Sequence, residues 1–257
     1  MLGMSGNVIA TTAGRVARIE LARPEKKNAL TGEMYAQLTE ALLAAGRDPQ
    51  VRVVLLQGSQ ECFTAGNDVA DFLKRNPGES SPVFGLFQVL PAFEKPVVAA
   101  VAGPAIGIGT TLLLHCDLVL AAAGARFQLP FVPLGIVPEF GSTLLLPRLS
   151  GYQRAAKLLL LGQPFTAQEA FEAGIVTAVV PKESLFGEAE KIAAMLAALP
   201  PESLRLTKRL MKQGGAKELE ARIAEEGRLF VERLASPEAK EAMSAFLEKR
   251  KPDFSRF

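Results

Sequence analysis

The chain has 257 residues and a mass of 27.4 kDa, enough for one large core or two modest ones. Its 49% apolar and 22% charged residues describe an ordinary soluble globular protein. Lys and Arg number 29 against 27 Asp and Glu, a net charge of +2 without a concentrated basic block, which argues against a nucleic-acid groove.

Two short strands open the chain, residues 7–12 and 16–21, joined by a turn at Ala13-Gly14. Residues 22–30, ARPEKKNAL, read as a loop, after which Thr31 caps a helix running to about Ala45. A buried strand is expected over 52–57, a loop over 58–65, and a turn toward a helix over 66–71. Then come a helix over 85–93, a strand over 96–101, a buried helix over 107–115 and a strand over 118–122. Helices over 153–161 and 167–173 precede a strand over 176–180 that stops at Pro181. Short strands alternating with helices predict α/β layers. From Leu185 the pattern is helical only, and Leu219, Ile223, Phe230 and Leu234 mark one apolar face. That face can pack within the chain or against a neighbouring subunit. The expected organisation is a core over 1–200 and a helical region over 201–257.

Cys62 and Cys116, with the single His115, form neither a disulfide scaffold nor a zinc pattern. The first residues lack a basic segment followed by a long apolar run, and every apolar stretch is interrupted before spanning length. A reducing, cytoplasmic location away from membranes is therefore expected.

Two glycine-rich stretches stand out. CFTAGND, residues 62–68, and AGPAIGIG, residues 102–109, fit neither a dinucleotide fingerprint nor a phosphate loop. They offer either tight backbone packing or exposed N–H groups that can receive a developing negative charge. Glu139 is the other candidate. It lies in FQLPFVPLGIVPEFGSTLLLPRL, and no other Asp or Glu occurs between Asp117 and Glu169. Such a carboxylate is either a solvated loop residue or a general base with a raised pKa. His115, at the end of the apolar LLLH, reads as a satisfied structural histidine.

Six ordered motifs carry a family resemblance: ARPEKKNAL, CFTAGNDVADF, KPVVAAVAGPAIGIGTTLLLHCDLVLAA, FQLPFVPLGIVPEFGSTLLLPRLSG, FTAQEAFEAGIVTAVVP and FLEKRKPDF. Over nearly its whole length the chain resembles the crotonase (enoyl-CoA hydratase/isomerase) superfamily. The resemblance implies a spiral of ββα units followed by helices used in trimers or dimers of trimers. It also implies an acyl-CoA thioester substrate with no separate cofactor. Asn67 and Ile108 would supply the backbone N–H donors to the thioester oxygen. Glu25, Lys26, Lys27, Ala65, Asp68, Val69, Lys251 and Phe254 would contact CoA, with the two loop lysines also readable as solvated. The positions of the two hydratase glutamates hold Thr111 and Phe131, so efficient hydration is not expected. LGIVPE, residues 134–139, resembles instead the single-glutamate motif of Δ3,Δ2-enoyl-CoA isomerases, with Glu139 as shuttling acid–base and Phe140 beside the acyl pocket. Related alternatives are a hydratase-like reaction, ring or epoxide acyl-CoA isomerisation, or binding of acyl-CoA without catalysis.

Overall fold

Alternation settles the first hairpin. In the computed structural model, which describes residues 6–68 and 81–257, β1 (Val8–Ala13) and β2 (Val16–Leu21) pair antiparallel, and every second β2 residue is buried. Gly14 and Arg15 both have positive φ, the backbone twist a tight hairpin requires. Helix α1 (Gly32–Arg47) starts where expected, because the Thr31 hydroxyl accepts the Met34 N–H at 3.3 Å.

Three apolar runs, β3 (Val53–Gln57), β4 (Val97–Val101) and β6 (Leu118–Ala122), are buried on both faces, as parallel strands covered by helices should be. With β9 (Ala178–Val180) they extend the sheet in the order β1-β2-β3-β4-β6-β9, parallel from β2 onward. One face packs on α1 and α2 (Val83–Ala92). The other face, with Val53, Leu55, Val98, Ala100 and Leu120, receives the alanine stripe Ala189, Ala193 and Ala197 of α7 (Leu185–Ala198). The fold is the α/β crotonase type, with repeated β-α units and a C-terminal helical region.

A second sheet joins β5 (Pro104–Ile106), β7 (Arg126–Gln128) and β8 (Phe165–Thr166). These strands are two or three residues long, too short for alternation to reveal. The helix expected over 107–115 is one α-turn, α3 (Ile108–Thr111), continued as a 3-10 turn to His115. The helix α4 (Ser142–Ser150) has no counterpart in the sequence reading, because Pro147 within it masks the periodicity. It is followed by α5 (Tyr152–Leu161) and α6 (Ala167–Glu172).

The C-terminal helices α8 (Pro201–Gln213), α9 (Ala216–Leu234) and α10 (Pro237–Leu247) fold back on this core. Buried Lys208 pins α8 by donating to Asp117 at 2.6 Å and to the Lys95 carbonyl at 2.8 Å. Among the described residues, no helix is long and apolar enough to cross a membrane.

Candidate active site

Residues 62–68 and 104–108 run side by side, joined by a bridge between Thr64 and Ala105 and by Ile106 N–H donating to Thr64 O at 3.1 Å. Asn67 bridges Leu30 through its neighbours: Leu30 N–H donates to Gly66 O and Asp68 N–H to Leu30 O. The Asn67 N–H is thus left out of the ladder. Gly107, at φ 56 and ψ −116, turns the chain into α3, so Ile108 sits at the first helical position, where an N–H has no carbonyl four residues back. Among the described residues, neither the Asn67 nor the Ile108 N–H donates to a protein group. Isoleucine is tolerated at 108 because Gly107 carries the positive φ.

The neighbouring glycines have separate tasks. A Cβ on Gly66 would stand 2.8 Å from Ile106 O, and one on Gly109 would stand 2.5 Å from Thr64 Cγ2, so both permit close approach. Gly107 meets nothing within 4 Å, and its requirement is conformational.

Loop 22–30 is built against this corner. Lys27 and Asn28 both adopt positive φ after the Pro24–Lys26 3-10 turn. Fully buried Asn28 accepts the Arg23 N–H and donates to the Cys62 and Phe63 carbonyls at 3.0 and 3.1 Å. Ala65 N–H donates to Lys27 O at 2.9 Å. The fold therefore brings the 25–27 segment to Ala65, Asn67 and Asp68, with the Glu25, Lys26 and Lys27 side chains exposed. Asp68 is tied to Arg23 at 2.7 Å, and the Tyr35 hydroxyl donates to Asn67 Oδ1 at 2.5 Å. Val69 lies outside the described residues, as do residues 70–80. Lys251 and Phe254 are on the tail beyond α10, with Phe254 in a shallow cleft beside Val132, Ile136 and Arg233.

Glu139 begins a tight turn. Phe140 and Gly141 have φ of 61° and 73°, and Ser142 N–H closes the turn on Glu139 O at 3.2 Å. A left-handed aromatic residue costs about 1–3 kcal/mol and persists only when its surroundings hold it. Here they do. The fully buried Phe140 ring lies 4.2 Å from that of Phe87 and 3.9 Å from that of His115, centroid to centroid. Burial holds the His115 pKa down to about 3, so the ring is neutral and Nε2–H donates to Phe140 O at 2.8 Å. Beyond the turn, Gly141 N–H donates to Glu226 Oε2 at 2.6 Å, while Thr143 N–H and its hydroxyl donate to Oε1 at 2.9 and 2.5 Å.

The Glu139 carboxyl is 4% exposed, and its Oε1 is buried without a hydrogen-bond partner among the described residues. Burial, and next the charge of Glu226, push its pKa up to about 8. Such a group gains and loses a proton near neutrality. Burial also raises Glu226, opposed by the donors from Thr143 and Gly141 and by Arg222. Thr111 and Phe131 are buried and carry no acid, and the Thr111 hydroxyl points back to Ile108 O at 3.5 Å. Among the described residues, no cluster of His, Cys, Asp and Glu is arranged to hold a metal.

Glu226 is absent from the sequence reading, whereas His115 is the satisfied structural histidine expected there, with Phe140 O as its partner. A signal for Glu226 does exist: it falls inside the apolar stripe of α9, between Ile223 and Phe230, at helical spacing.

The enoyl-CoA hydratase/isomerase family profile matches residues 11–256. The chain is 38% identical to the 1,2-epoxyphenylacetyl-CoA isomerase of Escherichia coli, covering 93% of this chain and 95% of that protein. It is 37% identical to the 2,3-dehydroadipyl-CoA hydratase of the same organism, covering 96% and 98%. An enoyl-CoA hydratase/isomerase crystal structure from Pseudoalteromonas atlantica superposes with a TM-score of 0.93 at 43% identity, covering 97% of this chain and all of that one. The chain belongs to the enoyl-CoA hydratase/isomerase (crotonase) family and is an enzyme acting on acyl-CoA thioesters.

Proposed function

We propose that the enzyme moves the double bond of a 3-enoyl-CoA to C2, with Glu139 as the sole proton carrier. The observation behind this is a buried carboxyl with an oxygen that has no partner among the described residues, held near neutral pKa, where Thr111 and Phe131 supply no second acid. Glu139 removes a C2 proton, and negative charge passes through the dienolate to the thioester oxygen. The Asn67 and Ile108 N–H groups receive that charge; losing one such donor costs about 2.7–4 kcal/mol in comparable sites. The protonated Glu139 then returns the proton to C4. Activating a water for hydration normally takes a second acid, and Phe131 replaces it with an apolar ring.

In this scheme Lys26, Lys27, Ala65, Asp68 and Val69 form the CoA side of the site, with Glu25 at its rim and Lys251 and Phe254 approaching from the tail. Phe140 is a supporting wall behind the turn. The region 201–257 serves assembly as a homotrimer or dimer of trimers, supported by Leu210, Met211 and Val231 exposed on α8 and α9.

A second reading has its own support. The relatives named above act, by their names, on an epoxyphenylacetyl-CoA and a dehydroadipyl-CoA, and so favour ring or epoxide isomerisation or hydration. Three parallel assays separate these readings: 3-hexenoyl-CoA isomerisation, 1,2-epoxyphenylacetyl-CoA isomerisation and crotonyl-CoA hydration, each with wild type and Glu139→Gln. Fast 3-hexenoyl-CoA turnover abolished in the variant, with CoA-ester binding retained, is the expected result. Turnover confined to the epoxide or to crotonyl-CoA would overturn the double-bond shift.

A further inference from the structure

The long helix α9 carries a residue that belongs to the catalytic turn. Leu219, Ile223, Glu226 and Phe230 fall on one face of α9. A Cβ on Gly141 would stand 2.3 Å from Leu219 Cδ1 and 3.3 Å from Ile223 Cγ1, so this face lies directly on the turn. Glu226 is 4% exposed and accepts from three donors on Gly141 and Thr143. Position 141 has no room for a capping side chain of its own, because its φ is 73° and a Cβ there would meet Leu219, so the donors at the start of α4 are met by a glutamate 85 residues onward. The cap and the catalytic carboxyl thus share one buried region, with Glu139 two residues before Gly141.

We propose that Glu226 is a positioning residue for Glu139: it locks the left-handed Phe140-Gly141 turn and carries, when ionised, a charge that acts on the catalytic carboxyl two residues before that turn's Gly141. That charge opposes the ionised form of Glu139 and is relieved when Glu139 takes the C2 proton, so it strengthens the base at the step where one is needed. The groups facing this pair come from several elements. Among the described residues, Glu226 is the charged group acting on Glu139, and Arg222 acts on Glu226 from the same helix, donating also to Thr143 Oγ1 at 3.1 Å. His115, on the Phe140 side, stays neutral, with Lys212 of α8 beside it. The inference rests on Glu139 being the proton carrier.

The test combines kinetics with a titration that does not depend on turnover. Glu226→Gln keeps the shape and one acceptor oxygen but removes the charge, whereas Glu226→Asp keeps the charge and shortens the reach. With 3-hexenoyl-CoA, Glu226→Gln should lower kcat about ten-fold or more while leaving KM within about two-fold, and should move the acidic limb of the kcat profile down by about one pH unit. Glu226→Asp should lower kcat and leave the limb in place. In 13C-glutamate-labelled protein, the Glu139 carboxyl resonance, assigned by its loss in Glu139→Gln, should titrate about one pH unit lower in Glu226→Gln. An unmoved titration and limb in Glu226→Gln would overturn the proposal, whether or not kcat falls. If Glu139→Gln itself keeps wild-type turnover, the proton-carrier reading fails instead, and the two failures are distinguishable.

Discussion

Replacing Glu139 with glutamine should stabilise the protein at alkaline pH. The folded carboxyl has a pKa of about 8 against an ordinary value of 4.5. Between these values the folded chain holds a proton that the unfolded chain has released, so stability falls as pH rises. The gap is about 3.5 on the pH scale (8 less 4.5), worth on the order of 4–5 kcal/mol once pH exceeds 8. His115 acts in the opposite sense. Its pKa is held down to about 3 from 6.5, so its contribution grows as pH rises through that window. In the wild type the two should nearly offset between pH 4.5 and 6.5 and leave the Glu139 penalty visible above it. Subtracting wild type from Glu139→Gln removes the His115 part, and the buried amide of the variant adds only a pH-independent cost. Urea unfolding at fixed subunit concentration from about pH 5 to 9 measures the difference. It should rise in favour of the variant by roughly 3–5 kcal/mol across that range. A difference that stays flat with pH would mean Glu139 titrates at an ordinary value, and the argument from burial would fail.

Four further substitutions probe the site and the structure around it. Tyr35→Phe removes the donor to Asn67 Oδ1 and should lower kcat about three- to ten-fold, equivalent to about 1 kcal/mol, in a steady-state assay at saturating CoA ester. Gly107→Ala meets no clash yet forces alanine to φ 56 and ψ −116, so it should cost about 1–3 kcal/mol by urea unfolding and depress turnover. Gly124→Ala, with open space and no positive φ, should change neither. Lys208→Met breaks the pair with Asp117 and should destabilise by about 3 kcal/mol in the same assay. Its KM for the CoA ester should hold below the unfolding midpoint, since the partners of Lys208 are Lys95 and Asp117 and not the residues proposed to contact CoA.

What could be read in the chain depended on how local each signal was. Parallel strands such as 97–101 and the Thr31 cap are written in consecutive residues and emerge directly. The short strands β5, β7 and β8 are fixed by partners far along the chain, and no window of their own length could disclose them. Glu139 stood out because its neighbours carry no other charge. The devices that hold it are non-local: His115 reaches it from 25 residues away through Phe140, and Glu226 from beyond the core altogether. The apolar stripe of α9 was legible as a face seeking burial, but its target was not. Its contact with the catalytic turn is what makes the acid within it meaningful.

The most direct test of the central claim is an isotope trace. Wild-type enzyme is given 3-hexenoyl-CoA deuterated at C2, in ordinary water, and the 2-hexenoyl-CoA formed is analysed for deuterium at C4. A single carboxyl shielded from water should carry a substantial fraction of the label from C2 to C4 within one turnover. Product with no deuterium at C4, every label having been lost to solvent, would contradict transfer by Glu139 alone.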